Sequence, residues 1–394
     1  MKVLLPLLFC SALLQSNAQS PFPPGAKADT VANGFQFVEG PVWSDSLGLL
    51  FSDIPGNTVY QWKPGSDTTA FLRPSGNSNG LTFDLRGRLL LAQTGLRRVA
   101  RLEGNGTQTP LAVLYNGKKL NSPNDLAVKS DGSIFFTDPP FNIPAGQQQE
   151  LSFSGIFRIS PSGSLQVLDS SLNQPNGICF SGDESKLYVN NSGPRVIYVW
   201  DVVNDSTIAN KRVFATIDPS GYADGMKLDL DGDLICSGPL GVWVFSPQGT
   251  VLDTIPIPQQ TANCAWGDAD RRTLYITAGH TVYKVRATTT GVRDHGSLQP
   301  APFELYHNYP NPWNPSTTIS YRIALGDGTH PVRVSLVLYD ILGRKIATMV
   351  DAMQRPGDYS VQLSSETLRG ASGMYLYRLS AAGMSRTYRM ALLK

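Results

Sequence analysis

Six copies of one short unit run along the chain: VEGPVWSDSLGLL from Val38, SNGLTFDLRGRLL from Ser78, PNDLAVKSDGSIF from Pro123, PNGICFSGDESKLY from Pro175, ADGMKLDLDGDL from Ala223 and ANCAWGDADRRTLY from Ala262. Each opens on one polar residue, Glu39, Asn79, Asn124, Asn176, Asp224 or Asn263, and these lie 40, 45, 52, 48 and 39 residues apart. Behind each opening come short runs of β-branched and aromatic residues: a second strand such as LLFSD, IFFTD or LYVNN, then a third such as TVYQW, GIFRI or GVWVF. Period-two alternation broken by Gly and Asp turns describes half-buried strands. A period of about 40 to 50 residues with three or four strands per unit predicts a β-propeller, here with six blades. A solenoid is the alternative, but it would leave sheet edges open that ring closure protects. After Val285 the sixth unit lacks an outer strand, while Val31–Phe37 precedes the first with nothing to pair. The N-terminal segment is therefore expected to complete the last blade.

Composition agrees with many short strands joined by turns: 37 Gly and 28 Pro against only 16% charged residues. A net charge of +2 without any basic run interleaved with aromatics excludes a nucleic-acid partner. The opening MKVLLPLLFCSALLQSNAQS has a lysine, an apolar run from Val3 to Leu14 and a small-x-small ending, which predicts a secretory signal peptide over residues 1–18. That run is too short to span a bilayer, and no later stretch predicts a membrane span. Cys10 belongs to this run. Cys179, Cys236 and Cys264 remain, an odd number set in apolar strands, and they read as small buried hydrophobes rather than a disulfide framework.

In a propeller, equivalent positions of the innermost strands meet around one axis, so Glu39, Asn79, Asn124, Asn176, Asp224 and Asn263 are expected on a common ring. All six offer hard oxygen donors, the set that Ca²⁺ takes, whereas Zn²⁺ favours His or Cys. Taken singly, Asn or Asp before Gly is an ordinary turn residue. Six at one repeat position, with the poor turn former Glu39 among them, point to the ring instead. The denser run Asp229, Asp231, Asp233 is not an EF-hand. Counted from Asp229, the required Gly and Glu positions hold Leu234 and Leu240. It reads as a hairpin turning at Asp231-Gly232, with Asp229 and Asp231 at a solvated end.

The stretches VEGPVW, SNGLTFD, LNSPNDLAVKSDGSIFFTDPPF, PNGICFS and ADGMKLDLDGDL resemble the gluconolactonase, senescence marker protein (regucalcin) and luciferin-regenerating enzyme family over Phe35 to Val285. NSPND and FTDPP are most similar to its bacterial gluconolactonase branch. The resemblance implies a six-bladed propeller that hydrolyses lactones, with metal ligands at Glu39, Asn176 and Asp224. Asn124 matches an asparagine that contacts metal in diisopropylfluorophosphatase-like relatives and substrate in regucalcin. Ser122 stands where regucalcin-like members carry an arginine, so that arginine's sugar-lactone contact has no donor here.

Only four histidines exist, His280, His295, His307 and His330, and only His280 falls within the propeller, in a hairpin turn. A Ser-His-Asp triad or a histidine pair is therefore disfavoured. Metal assistance remains: a divalent cation, Ca²⁺ first and Zn²⁺, Mg²⁺ or Mn²⁺ as alternatives, polarises the carbonyl, and either metal-bound water or Asp224 delivers the attack. The resemblance favours Asp224 as the catalytic base. Asn79, Asn124, Asn263 and Asp138 are the residues expected around substrate. Asp138 is a second catalytic candidate, but its strand-end place before Pro139-Pro140 favours a structural role. The segment NIPAGQQQELSFSG that follows is the longest insertion within a repeat and reads as a lid or specificity loop, with plain solvent exposure as the competing view.

The propeller is thus expected over residues 19–286, a linker over 287–302, and a small immunoglobulin-like β-sandwich over 303–394. NYPNPWNPSTTI, LYDILGRKI, SGMYLYRL and the terminal basic-apolar strand resemble the C-terminal sorting domain read by the type IX secretion system. That implies export through the periplasm to the medium or the cell surface. The alternative is an accessory domain that binds carbohydrate or protein. Two function classes stay open: a metal-dependent hydrolase of sugar lactones, or of phosphotriesters or aryl esters, and a non-catalytic binding propeller with a structural ion. Retention of both Glu39 and Asp224 favours the enzyme.

Overall fold

The computed structural model describes residues 19–218, 221–288, 303–306, 308, 310–323, 331–340, 344–368, 372–381 and 384–392. The expected signal peptide, most of the expected linker, and His295, His307 and His330 lie outside the described residues. The chain divides into two compact units, Met1–Asp84 with Arg88–Ser297, and Leu298–Lys394 with Leu85–Gly87.

The first unit is a six-bladed propeller of four-stranded antiparallel sheets. Blade 1 runs Val38–Ser44, Gly48–Asp53, Thr58–Trp62, Thr69–Leu72, and blade 2 runs Ser78–Phe83, Leu89–Gln93, Arg98–Leu102, Gln108–Ala112. Blade 3 is Leu126–Val128, Ile134–Asp138, Gly155–Ile159, Leu165–Asp169, and blade 4 is Pro175–Phe180, Lys186–Asn191, Val196–Asn204, Thr207–Thr216. Blade 5 is Met226–Leu228, Leu234–Gly238, Gly241–Phe245, Val251–Pro256. Blade 6 has Thr261–Gly267, Thr273–Ala278 and Thr281–Arg286, and its fourth strand is Asp29–Asn33 from the start of the chain. Thr30 pairs with Tyr283 and Asn33 with Thr281. The closing strand sits slightly earlier than the expected Val31–Phe37 and overlaps it over Val31–Asn33. Gln36 and Phe37 instead give their N–H groups to the Asp53 carboxylate, both at 3.1 Å. Pairing of first strand with last closes the ring and excludes the solenoid.

Apolar residues on facing sheets fill the seams between blades. Trp43 of blade 1 stacks on Tyr275 of blade 6 at 5.3 Å, and Phe135 of blade 3 meets Phe180 of blade 4 edge-on at 4.8 Å. Cys179, Cys236 and Cys264 are thiols buried in these seams, as their apolar neighbours in the sequence suggest.

The second unit is a β-sandwich. Phe303–Leu305, Ser316–Ile323 and Gly357–Ser364 form one sheet; Lys345–Gln354, Val332–Asp340, Gly373–Ala381 and Met384–Leu392 form the other. Alternate residues Ile319, Tyr321, Ile323 from the first and Val334, Leu336, Leu338, Tyr377, Leu379 from the second share one buried core with Trp313. Among the described residues no helix is long and apolar enough to cross a membrane.

Candidate functional site

The six polar openings are not turn residues. Glu39, Asn79, Asn176 and Asn263 lie within innermost strands, and Asn124 and Asp224 stand two residues before theirs. All six are buried. The innermost strand slips register at this point in four blades, between Glu39 and Val42, Ser78 and Leu81, Pro175 and Ile178, and Thr261 and Asn263. In blade 3 Asn124 N–H bonds to Thr137 O while Asp125 O accepts Thr137 N–H; in blade 5 Asp224 N–H bonds to Ser237 O while Gly225 O accepts Ser237 N–H. A bulge re-aims the side chain it carries, and here it recurs at the ring position of every blade.

Close packing just past the bulge accounts for the glycines. A Cβ on Gly40 would strike Asn79 O, one on Gly80 would come within 2.6 Å of Asn124 O, and one on Gly177 would strike Asp224 O. Each of these innermost strands thus runs against the next blade's ring residue. Hydrogen bonds at the same level tie all six seams: Ser52 Oγ with Ser78 Oγ, Gly80 N–H to Asn124 O, Thr137 Oγ to Asn176 O, Asn190 Nδ2 to Asp224 O, Gly225 N–H to Ala262 O, and Val38 N–H to Gly279 O.

Side chains converge on two carboxyls. Glu39 and Asp224 lie close enough to couple electrostatically, with Asn176 beside Asp224 and Asn263 beside Glu39. Glu39 Oε2 also takes Gly40 N–H at 2.6 Å, while Asn263 Oδ1 is held by Cys264 N–H at 2.9 Å. Burial pushes the Glu39 carboxyl up to about 7, with the Asp125 charge adding to it. Burial, then the charges of Glu39 and Asp125, lift Asp224 well above the usual carboxylate range. Two carboxyls coupled in a buried site share a proton or a cation.

Oxygen atoms stand ready for the second option. Asn79 Oδ1, Asn176 Oδ1 and Asp224 Oδ1 are buried and have no hydrogen-bond partner, although native proteins satisfy nearly all such atoms. Among the described residues no three His, Cys, Asp or Glu side chains form a metal-holding group, so a ligand set here must include amide oxygens. Carboxylate and amide oxygens with no thiolate or imidazole fit a hard divalent cation.

Asp125 does not stand out in the sequence. It occupies the place that Gly40, Gly80, Gly177 and Gly225 hold in four other repeats, and that substitution is the available signal. It is buried, with Oδ1 on Leu126 N–H at 2.9 Å and Oδ2 unpartnered. Asn190 and Ser192 also escape a reading of the repeats; Ser192 Oγ reaches Ala223 O at 2.6 Å, beside Asp224.

Asp138 belongs to another network. Its Oδ2 takes Asn121 N–H at 2.7 Å and its carbonyl takes Asn121 Nδ2 at 2.9 Å. Burial raises its carboxyl to about 7 despite these bonds and the Arg97 charge. Ser122, at the place of the family's arginine, spends its hydroxyl on Pro139 O at 2.7 Å. His280 is exposed on the turn between Thr273–Ala278 and Thr281–Arg286. One expectation fails in the Asp229 hairpin. Asp231 is exposed, but Asp229 is buried, because its Oδ1 holds Asp231 N–H and Asp233 N–H at 3.0 and 2.8 Å.

Comparison with known proteins gives the site its context. A gluconolactonase of Zymomonas mobilis is 34% identical over 292 residues, spanning 67% of this chain and 82% of that protein. The structure of a gluconolactonase from Xanthomonas campestris superposes with a TM-score of 0.63 at 33% identity, covering 66% of this chain and 89% of that one. A calcium-binding protein from Agrobacterium tumefaciens, regucalcin, shares the fold at 18% identity with a TM-score of 0.57, over 69% of this chain and 98% of that one. The profile of the SMP-30/gluconolactonase/LRE-like region matches residues 37–280, and the chain belongs to that family.

Proposed function

We propose that the propeller hydrolyses a sugar lactone of the aldonolactone class, with a divalent cation, Ca²⁺ first, held by Glu39, Asn176 and Asp224 and by Asn124. The observation that carries this reading is the meeting of Glu39 and Asp224 beside the unpartnered oxygens of Asn79, Asn176 and Asp224. Identity to a gluconolactonase along most of its length supports the substrate class. A neighbour of the same fold that binds calcium is consistent with the ion.

A bound cation would withdraw charge from the lactone carbonyl and favour the oxyanion of the tetrahedral intermediate. The chain's own residues supply the rest. Asp224 takes a proton from the water whose oxygen adds to the carbonyl carbon. The ester C–O bond then breaks, and the ring oxygen leaves as a hydroxyl carrying that proton. Asn263 stands beside Glu39 and Asn176 beside Asp224. Asn79 and Asn124 line the same ring and are assigned to the sugar hydroxyls.

The test is a pH-stat assay of the mature chain over aldonolactones, aryl esters and phosphotriesters. Chelation should abolish lactone opening. Asp224→Asn should lower kcat on the order of 10²-fold or more while the far-UV spectrum stays that of the wild type. Full activity in Asp224→Asn sinks the mechanism; calcium binding without turnover of any substrate favours the binding propeller.

The second unit we assign to type IX sorting, and the protein to the cell exterior, on the motifs and the two-sheet sandwich. Deleting residues 303–394 should strand the propeller in the periplasm; normal export of the truncated chain refutes the assignment.

A further inference from the structure

The loop between second and third strands of a blade ends on a residue with left-handed backbone at Asn57, Arg97, Arg195 and Leu240, with φ of 49, 55, 60 and 65°. The side chains of three of these reach to the next blade's entry loop. Asn57 Oδ1 takes Asn77 N–H at 2.8 Å, and Arg195 Nε gives to Ile217 O at 3.2 Å. Arg97 does more. Its Nε forks to Leu120 O and Asn121 O at 2.8 and 3.0 Å, and Thr94 Oγ on the same turn reaches Pro123 O at 2.7 Å. Pro123 is the residue before Asn124.

Arg97 also crosses to the long insertion of blade 3. Its Nη1 gives to Gln147 Oε1 at 3.1 Å and to Gln148 O at 3.2 Å. The insertion leaves the sheet beside Asn124, whose N–H bonds Thr137 O, and it is pinned again where Asn121 Nδ2 meets Phe153 O at 2.9 Å. The Arg97 side chain is 3% exposed, and its Nη2 is buried without a partner. Glu150, 3.8 Å away and 40% exposed, adds only a weak pair. A guanidinium held in left-handed backbone with one nitrogen unsatisfied carries two penalties, and such penalties persist where surrounding structure demands them.

We infer that Arg97 is a positioning residue for the lactone site: it locks segment 147–148 to the 120–123 loop, so that the insertion and Asn124 present a preformed wall to substrate. The inference rests on the lactonase reading for its kinetic part. The fork matters, because the point-like ammonium of Lys cannot reach Leu120 O and Asn121 O on one loop and Gln147 Oε1 and Gln148 O on the other at once.

Full-length Arg97→Ala, Arg97→Lys and Gln147→Ala, with Glu150→Gln as control, separate the possibilities. Hydrogen exchange without substrate should quicken over 120–124 and 142–150 in Arg97→Ala, over 142–150 alone in Gln147→Ala, and nowhere in Glu150→Gln. KM for an aldonolactone should rise on the order of tenfold in Arg97→Ala with kcat changed less than about threefold, and Arg97→Lys should fall between. Unchanged exchange in both segments, or a lowered Tm with KM untouched, overturns the inference. If Arg97→Ala does not fold, Arg97→Lys and Gln147→Ala decide by the same readouts. Absence of turnover in the wild type rejects the lactonase reading and leaves the exchange result to judge the clamp.

Discussion

Asp138, expected from the sequence either around substrate or in the scaffold, caps a loop in the fold. Its counterparts at the end of the second strand are Asp53, which holds Gln36 and Phe37 N–H, Gln93, whose Nε2 holds Ser75 O, and Asn191, whose Oδ1 holds Gln174 N–H. All cap the loop entering their own blade, as Asp138 caps Asn121. Because burial lifts Asp138 from 3.8 to about 7, the folded chain keeps a proton that the unfolded chain loses above about pH 4. This contribution favours folding at low pH and is lost as pH rises toward 7. Asp138→Asn removes it. The stability of the variant relative to wild type should therefore climb between pH 4 and 7, by on the order of 4 kcal/mol. Urea unfolding at several pH values checks this; a constant difference would show that Asp138 is ionised in the native ring.

At the scale of the strand, the bulge and the glycine after it form one device. The bulge turns the ring side chain inward, and the missing Cβ lets the next blade close on it. Gly177→Ala places a methyl against the Asp224 carbonyl, where backbone must move, and should cost roughly 1–3 kcal/mol. On the proposed cation site it should also weaken calcium binding, since Asp224 shifts. Gly104→Ala, with open space around it, should be neutral within about 0.5 kcal/mol. Thermal melts with calorimetric titration distinguish the two; equal effects would mean that the seam is not close-packed. Glycine after Asn or Asp in the repeats is legible as a pattern, but read singly it suggests turns. The spacing of the repeats decides against that reading, and the seams supply the reason.

For the propeller unit as a whole, closure rests on Asp29–Asn33 pairing with Thr281–Arg286, and on Phe22 stacking over Trp266 at 5.7 Å. Removing residues 19–33 exposes the outer edge of blade 6. Tm should fall by about 10 °C, the equivalent of roughly 3 kcal/mol or more, and the open edge should promote association at high concentration. Calorimetry and light scattering on the truncated chain test this; a wild-type Tm would show that the ring needs no closing strand.

Blade number, the ring of six polar residues, the buried thiols and the strand-rich second unit are readable from residue order alone, because a repeat imposes equivalent environments on equivalent positions. Residue order could not show that Asn79, Asn176 and Asp224 keep an oxygen free while Asn263 spends its own on Cys264 N–H. Nor could it show that Asp125 joins Glu39 and Asp224, that Asp229 is buried by the turn it caps, or that Arg97 spans two loops more than twenty residues away in sequence. Those facts depend on which groups meet across blades. Hydrogen-bond partners far apart in the chain are selected only when ring closure brings the seams together.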